Sequence, residues 1–184
     1  EVSLATFLQE VTLLTSADES DQAHTDKITL MTIHAAKGLE FAAANGIPAI
    51  AVPHKQYADR EAHDAALHEA LATLKPDIIA CAGYMRIMTA AFVAKWEGRM
   101  INIHPSLLPD FKGTHTHEQA LAAGVSEHGC SVHYVTAELD DGPVIAQARV
   151  PVLPGDTPDM LAARILIEEH KLYPLALKMV CERN

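Results

Sequence analysis

The sequence predicts an α/β protein with a mostly parallel sheet flanked by helices. Apolar runs of strand length alternate with segments of helical spacing through the first hundred residues, which is typical of parallel strands joined by helices. Nearer the C-terminus, two strand-like runs are separated only by a short turn, which favours an antiparallel edge. With 184 residues, 49% of them hydrophobic, the chain is expected to form one domain, residues 1–184, around one core.

The elements of the N-terminal part follow from periodicity. Apolar residues at helical spacing after Ser3 indicate an amphipathic helix over 3–15. After a polar loop, an apolar, β-branched run over 27–34 is typical of a buried parallel strand. A short helix over 39–44 and a strand over 47–52 complete this part.

The rest of the chain contains two longer helices with strands between them. The first helix is predicted over 58–75. The last is capped by Thr157, begins with Pro158, and should end or kink near Pro174, because proline lacks the N–H that a helix interior needs. The predicted strands between them cover residues 77–82, 100–103, 132–137 and 144–152.

Composition excludes several classes of partner. A formal net charge of −10 argues against nucleic acid, because binding a phosphate backbone requires clustered Lys and Arg. No apolar run reaches the roughly 18 residues that cross a bilayer, and there is no secretory signal pattern. We therefore expect no membrane partner and a cytoplasmic location.

Cysteine and histidine usage predicts no metal centre. Cys81 and Cys130 lie in strand-like runs, where a buried thiol behaves as a small hydrophobe. Four histidines in the C-terminal half lack any recognised zinc spacing, and we expect them to pack and hydrogen-bond within loops. They are His115, His117, His128 and His133.

Residues 99–109 carry the strongest indication of chemistry. They read Arg-Met-Ile-Asn-Ile-His-Pro-Ser-Leu-Leu-Pro, an apolar strand that brings Asn102 and His104 to its carboxyl end and stops at Pro105. Side chains two apart on a strand point the same way, so an amide and an imidazole are presented together. Such a pair can donate hydrogen bonds to a carbonyl, although turn-forming and capping residues would show the same pattern.

This run resembles the signature of the folate-dependent formyltransferases, the glycinamide ribonucleotide transformylase family above all. The resemblance extends from about Phe41 to the C-terminus, and its several motifs occur in the family's order. They are Ala82-Gly83-Tyr84-Met85-Arg86-Ile87-Met88, Gly113-Thr114-His115-Thr116-His117, His128-Gly129-Cys130-Ser131-Val132-His133, Leu139-Asp140-Asp141-Gly142-Pro143 and Glu169-His170-Lys171-Leu172-Tyr173-Pro174.

The resemblance implies a Rossmann-like formyltransferase fold and a reaction of small molecules. A formyl group would pass from 10-formyltetrahydrofolate, a co-substrate, to the amine of glycinamide ribonucleotide in purine biosynthesis. Asn102, His104 and Asp140 would be the catalytic residues, with the carboxylate supporting a charged imidazole and relaying protons. The neighbouring Asp141 is an alternative to Asp140 that the sequence alone does not exclude.

The resemblance also implies binding residues. Arg86, the backbone of Ile87 and Met88, and Asp140 would contact the folate, while Arg60 would meet its glutamate tail. Glu169 would recognise the glycinamide end of the other substrate, glycinamide ribonucleotide. The alternative for Arg60, Arg86 and Glu169 is a solvated surface position.

Residues 28–41 have a different resemblance. They read Ile-Thr-Leu-Met-Thr-Ile-His-Ala-Ala-Lys-Gly-Leu-Glu-Phe, which looks like a late motif of UvrD-type superfamily 1 DNA helicases. The chain is therefore expected to be a chimera, helicase-like over 1–41 and formyltransferase-like over 42–184. In the transformylases this N-terminal part would hold one further strand. We expect the altered sheet to re-register, or another copy to supply strands in a segment-exchanged homo-oligomer.

The junction also bears on function. A transformylase carries a phosphate-gripping loop after its first strand, and the chain has no counterpart before Phe41. We expect formyl transfer to be impaired or lost for that reason. The alternatives are a folded but inactive chimera, and a folate-binding module or slow formyltetrahydrofolate hydrolase in which water replaces the amine.

Overall fold

The computed structural model of the protein describes residues 28–32, 50–82, 84 and 86–182, with the backbone alone at 28–32. The chain divides into two compact units, one ending at Arg99 and the other beginning at Met100, and each is described by itself. The helices predicted over 3–15 and 39–44 lie outside the described residues.

In the first unit, two parallel strands confirm the predicted parallel pairing. β1 (Ile28–Thr32) runs beside β2 (Ile78–Ala82), so that each residue of one strand faces one residue of the other. β2 is fully buried along Ile79 to Cys81, as its unbroken apolar sequence requires. Re-registration of the sheet and segment exchange both stay predictions, because residues 33–49 lie outside the described residues.

Two helices complete the first unit. α1 (Arg60–Leu74) begins after Asp59, whose carboxylate accepts the Ala62 N–H at 2.8 Å. α2 (Ala90–Lys95) begins after Thr89 and was not predicted, because six residues give too little periodicity to recognise. A short 3-10 helix, His54–Gln56, precedes α1.

The strand predicted over 47–52 is wrong in its described part. Residues 50–52 form no strand, and the side chain of Ile50 remains 49% exposed. The Val52 carbonyl bonds the ring of His63 at 3.1 Å instead of a neighbouring strand. Hydrophobicity alone does not make a strand, because a strand also needs a neighbouring backbone to pair with.

The second unit is an antiparallel sheet covered by helices. β3 (Met100–His104) pairs with β4 (Glu127–Tyr134), and β4 pairs with β5 (Val144–Pro151). α3 (Thr116–Ala123) lies between β3 and β4 in the chain, and the long α4 (Pro158–Cys181) contacts all three strands and α3. The buried face of α4 supplies Leu161, Ile165, Leu172, Tyr173, Ala176, Leu177 and Val180.

The β4–β5 ladder contains one irregularity. Val132 faces Ala146, but the next residue, His133, faces Val144, so β5 has one additional residue, Ile145, at this point. This arrangement is a β-bulge, which bends a strand and shifts the following pairs by one position.

Two predicted boundaries were wrong for physical reasons. β4 begins at Glu127 rather than at 132, because its polar first residues pair with the far end of β5. α4 does not end near Pro174 but continues to Cys181, while a kink at Pro174 stays a prediction. One missing helical N–H is tolerated there because the apolar stripe continues on both sides of the proline. Within the described residues no helix is both long and apolar enough to cross a membrane.

The entry to α4 is fixed by a paired carboxylate. Asp156 accepts two hydrogen bonds from Arg164, at 2.7 and 2.8 Å, and one from the Leu153 N–H at 2.8 Å. These bonds, with the guanidinium contributing most, lower the pKa of Asp156 to about 2 from 3.8.

We predict that Asp156→Asn lowers the melting temperature at pH 7. Since the folded pKa lies below the unfolded one, the stabilisation by Asp156 is present above about pH 4 and is lost as the pH falls towards 2. Thermal unfolding of both proteins between pH 7 and pH 2 measures this. Glu127→Gln, which breaks an exposed pair with Arg149, is the control. A difference that is constant with pH would contradict the prediction.

Candidate active site

The pairing of β3 with β4 brings the polar side chains of two strands together. Asn102 is the cross-strand neighbour of His133, and His104 is the neighbour of Ser131. Directly opposed side chains project from the same face of a sheet, so the amide and imidazole predicted from the sequence share a surface with two residues of β4.

His104 is held between two oxygens. Its ring is buried at 5% exposure, and Nε2 donates to the Phe111 carbonyl at 3.0 Å. Nδ1 lies 3.5 Å from Oδ2 of Asp140, whose side chain is 9% exposed. A proton on either ring nitrogen therefore has an oxygen facing it. The predicted trio is brought together at this strand end, although both nitrogens of His104 already have protein partners.

The backbone of the Asp140 loop directs its carboxylate inward. Asp140 has φ of 50°, a left-handed conformation that costs a residue with a Cβ on the order of 1 to 3 kcal/mol. The same Oδ2 that faces His104 accepts the Gly113 N–H at 2.9 Å. Asp141 instead pairs with Lys112 and is 55% exposed. Of the two adjacent carboxylates, only Asp140 reaches the histidine.

His133 connects the remaining members of the group. Its Nδ1 donates to the Tyr134 carbonyl at 2.9 Å, which leaves Nε2 to accept from the Asn102 amide at 3.4 Å. Burial lowers the pKa of His133, so the neutral ring is favoured. Nε2 also lies 3.7 Å from Asp140 Oδ1. Asn102, His133, Asp140 and His104 thus form one continuous cluster, which we call the strand-end cluster.

A hydrogen-bonded scaffold fixes the loop that follows His104. The Ser131 hydroxyl donates to the Ser106 carbonyl at 2.7 Å and accepts the Leu108 N–H at 3.0 Å. Gln147 donates to the Leu108 carbonyl at 2.9 Å and to Ser131 at 2.8 Å. These roles are not predictable from the sequence, because only the antiparallel register shows that β4 and β5 reach this loop.

A further histidine pair packs beside the same loop. His128 is fully buried, and its ring meets those of Phe111 and His117 edge-on at 5.6 Å. Burial, together with the charges of His117 and His104, lowers the pKa of His128 to about 4. Packing was the role expected for these histidines. Among the described residues, no group of three or more His, Cys, Asp or Glu side chains could hold a metal ion.

Glu169 lies on α4 in the second unit. Burial raises the pKa of its carboxyl to about 7, and its charge in turn contributes to the raised pKa of the Cys130 thiol. A carboxyl in such surroundings exchanges a proton near neutral pH, which is common at functional sites.

Of the predicted folate residues, Asp140 belongs to the strand-end cluster of the second unit, and the other four lie in the first unit. Arg60 is the first residue of α1 and is exposed. Arg86 and Met88 are partly buried, whereas Ile87 is 56% exposed, in the segment between β2 and α2. Their proposed contacts with folate remain predictions.

Comparison with known proteins identifies similar sequences. The family model described as Formyl transferase matches residues 4–177. The chain is 49% identical over 140 residues to the phosphoribosylglycinamide formyltransferase of Escherichia coli (strain K12), an overlap of 76% of this chain and 66% of that protein. It is 44% identical over 168 residues to the human trifunctional purine biosynthetic protein adenosine-3, or 91% of this chain but 17% of that one. The chain thus spans less than two thirds of either relative.

Solved structures show the same similarity. A phosphoribosylglycinamide formyltransferase from Brucella melitensis is 52% identical with a TM-score of 0.75, covering 83% of this chain and 79% of that one. Glycinamide ribonucleotide transformylase 1 from Symbiobacterium toebii is 44% identical with a TM-score of 0.78, covering 84% and 73%. The predicted formyltransferase fold is confirmed. Because the family model begins at residue 4, the comparisons give no evidence for a helicase segment or a chimera.

We predict that Ser131→Ala lowers the free energy of unfolding by about 1 to 3 kcal/mol, because the buried Leu108 N–H loses its acceptor. Urea unfolding followed by circular dichroism measures the change. Thr136→Ala, which removes an exposed hydroxyl bonded to Glu138, is the control and should change little. Equal effects of the two substitutions would contradict the scaffold role of Ser131.

Glu169 generates a prediction about pH. Since its folded pKa of about 7 lies above the ordinary value of 4.5, burial of the charged form makes the wild type progressively less stable as the pH rises from about 4.5 to 7. We expect Glu169→Gln to raise the melting temperature at pH 8 and to leave it nearly unchanged at pH 4. Glu168→Gln, one residue away and paired with Lys171, is the matched control. An equal gain at both pH values would contradict the raised pKa.

Proposed function

Because this chain belongs to the formyl transferase family, we propose that it transfers a formyl group from 10-formyltetrahydrofolate to the amine of glycinamide ribonucleotide. The observation that carries the proposal is the strand-end cluster, which gathers an amide, two imidazoles and a buried carboxylate. The names of relatives 49% and 52% identical to the chain support the choice of substrates.

The reaction would begin with attack of the amine nitrogen on the formyl carbon. The carbonyl oxygen then carries negative charge in a tetrahedral intermediate, which hydrogen-bond donors stabilise. Asn102 would supply one donor, because its amide group carries two N–H bonds and His133 accepts only one of them. His133 would keep the amide oriented, since its own Nδ1 proton is committed to the Tyr134 carbonyl.

His104 and Asp140 would manage the protons. The attacking amine must lose one proton and N10 of the folate must gain one when the carbon–nitrogen bond breaks. Asp140 would take the amine proton, directly or through water, and would return it to N10 as the carbon–nitrogen bond breaks, while the adjacent His104 ring stabilises the charge of the carboxylate. The Nε2–H group of His104 is the second hydrogen-bond donor proposed for the formyl oxygen. Within the protein this group faces the Phe111 carbonyl.

Each substrate has its own predicted binding residues. Arg86, Ile87 and Met88 would contact the folate together with Asp140, and Arg60 would meet the glutamate tail. Glu169 would recognise the glycinamide end. A carboxyl that is partly protonated near pH 7 both accepts and donates hydrogen bonds, which fits an amide that presents N–H and C=O groups.

The remaining expectations stay predictions. They are a single domain, a cytoplasmic location, a homo-oligomer with or without segment exchange, the absence of nucleic-acid and membrane partners, and the chimeric junction near residue 41. Impaired turnover depends on the missing phosphate loop and is likewise untested. Neither the inactive chimera nor the hydrolase is favoured by a particular contact among the described residues.

We predict that Asn102→Ala lowers kcat roughly 10²- to 10³-fold, the usual cost of removing one donor from a developing oxyanion. Spectrophotometric assay of tetrahydrofolate formation with glycinamide ribonucleotide measures the rate. Asp140→Asn should also lower kcat, whereas Asp141→Asn, its exposed neighbour, should leave it within a few-fold.

Two results would contradict the proposed function. The first is a wild-type protein, shown by circular dichroism to be folded, that forms no formylated product. The second is formate release at the same rate with and without glycinamide ribonucleotide, which would favour the hydrolase.

A further inference from the structure

A buried carboxylate in the first unit fixes the end of the segment that carries Arg86, Ile87 and Met88. Asp64 lies on α1 and is 4% exposed. Its Oδ2 accepts the Thr89 N–H at 2.7 Å, a bond between residues 25 apart in sequence. Nothing in the pattern of α1 predicted a polar residue on its buried side.

Thr89 is held at three atoms by this arrangement. Besides the N–H bonded to Asp64, its hydroxyl accepts the Phe92 N–H at 3.2 Å and its carbonyl accepts the Val93 N–H at 3.0 Å. The two latter bonds begin α2, so the first alone ties this helix start to α1. Residues 86–88 therefore lead directly into an anchored residue.

Burying a carboxylate is unfavourable unless its oxygens are paired. The other oxygen of Asp64 lies 3.6 Å from Nδ1 of His63, and Nε2 of that ring donates to the Val52 carbonyl at 3.1 Å. Two adjacent residues of α1 thus hold two loops: His63 bonds the loop at Val52, and Asp64 bonds the loop at Thr89. A carboxylate retained at this cost is expected to fix a conformation rather than to raise stability.

The exposure of the anchored segment points to a ligand. Ile87, two residues before the anchored Thr89, leaves 56% of its surface exposed. A rigid segment that presents an apolar side chain and a cation binds with a smaller loss of conformational entropy than a mobile one.

We propose that Asp64 is a positioning residue for the folate, acting through Thr89 on the backbone of Arg86, Ile87 and Met88. This inference rests on the proposed function, because it takes the ligand of that segment from it. Asp64 does not touch the folate. It sets the conformation in which the segment binds the ring system and thereby governs affinity for the formyl donor rather than the chemical step.

Steady-state kinetics with both substrates tests the proposal. In Asp64→Ala the Thr89 N–H loses its acceptor, and KM for 10-formyltetrahydrofolate should rise roughly tenfold. The kcat value and KM for glycinamide ribonucleotide should stay within about twofold. Asp64→Asn should restore KM, because its amide oxygen can still accept from Thr89 while its N–H₂ group faces Nδ1 of His63.

Two controls separate positioning from loss of stability. Leu71→Ala removes a buried side chain of the same helix without touching Thr89, so it should lower the melting temperature and leave KM unchanged. Hydrogen exchange of a peptide over 86–92 should become faster in Asp64→Ala but not in Asp64→Asn or Leu71→Ala. This measurement requires no ligand and tests the anchor by itself.

The outcomes distinguish this inference from the function on which it rests. Wild-type protein that neither binds nor turns over 10-formyltetrahydrofolate would overturn both. Wild-type turnover with an unchanged KM in Asp64→Ala would overturn this inference alone. If Asp64→Ala does not fold, Thr89→Pro removes the same bond from the donor side at a φ of −69° that proline adopts, with Thr89→Ala as its control. Equal KM values for those two variants would also overturn it.

Discussion

The contact between Asp140 and His104 is the interaction around which the second unit is arranged. It joins a strand end to a loop 36 positions later, and it requires a backbone conformation at Asp140 that side chains with a Cβ disfavour. The Gly113 N–H and the Phe111 carbonyl each bond one of the two partners. Loops on both sides of the strand end therefore share one constraint, which is the position of a single carboxylate.

The polar network around this contact offsets the unfavourable backbone conformation of Asp140. Three histidines of the second unit are at least 95% buried, namely His104, His128 and His133. Burial lowers the pKa of the latter two, which keeps them neutral beside a ring that faces a carboxylate. Neutral neighbours do not compete with His104 for Asp140. The network thus separates His104, which faces the carboxylate, from His133, which bonds the Asn102 amide, and from His128, which packs.

Much of this could be predicted from the sequence, and the parts that could not have identifiable causes. Strand alternation placed Asn102 and His104 on one face, but their catalytic roles came from the family resemblance. Asp140 came from a family resemblance, since an Asp-Asp-Gly-Pro run is ordinary turn chemistry and its inward direction depends on a positive φ. Ser131, Gln147 and Asp64 were missed because their partners lie 16 to 39 residues away. Periodicity reports which face a residue occupies but not which loop it meets.

The additional residue in β5 gives this site a dependence on chain length. The bulge at Ile145 stands between the regular β4–β5 ladder and the loop that carries Asp140. One residue of an extended strand advances the chain by about 3.3 Å, which is close to the 3.5 Å that separates Asp140 from His104. Insertion or deletion of one residue here would therefore shift the Asp140 carboxylate by about its present distance from His104, although every side chain would stay chemically unchanged. In this segment, the number of residues sets the position of the carboxylate together with their identity.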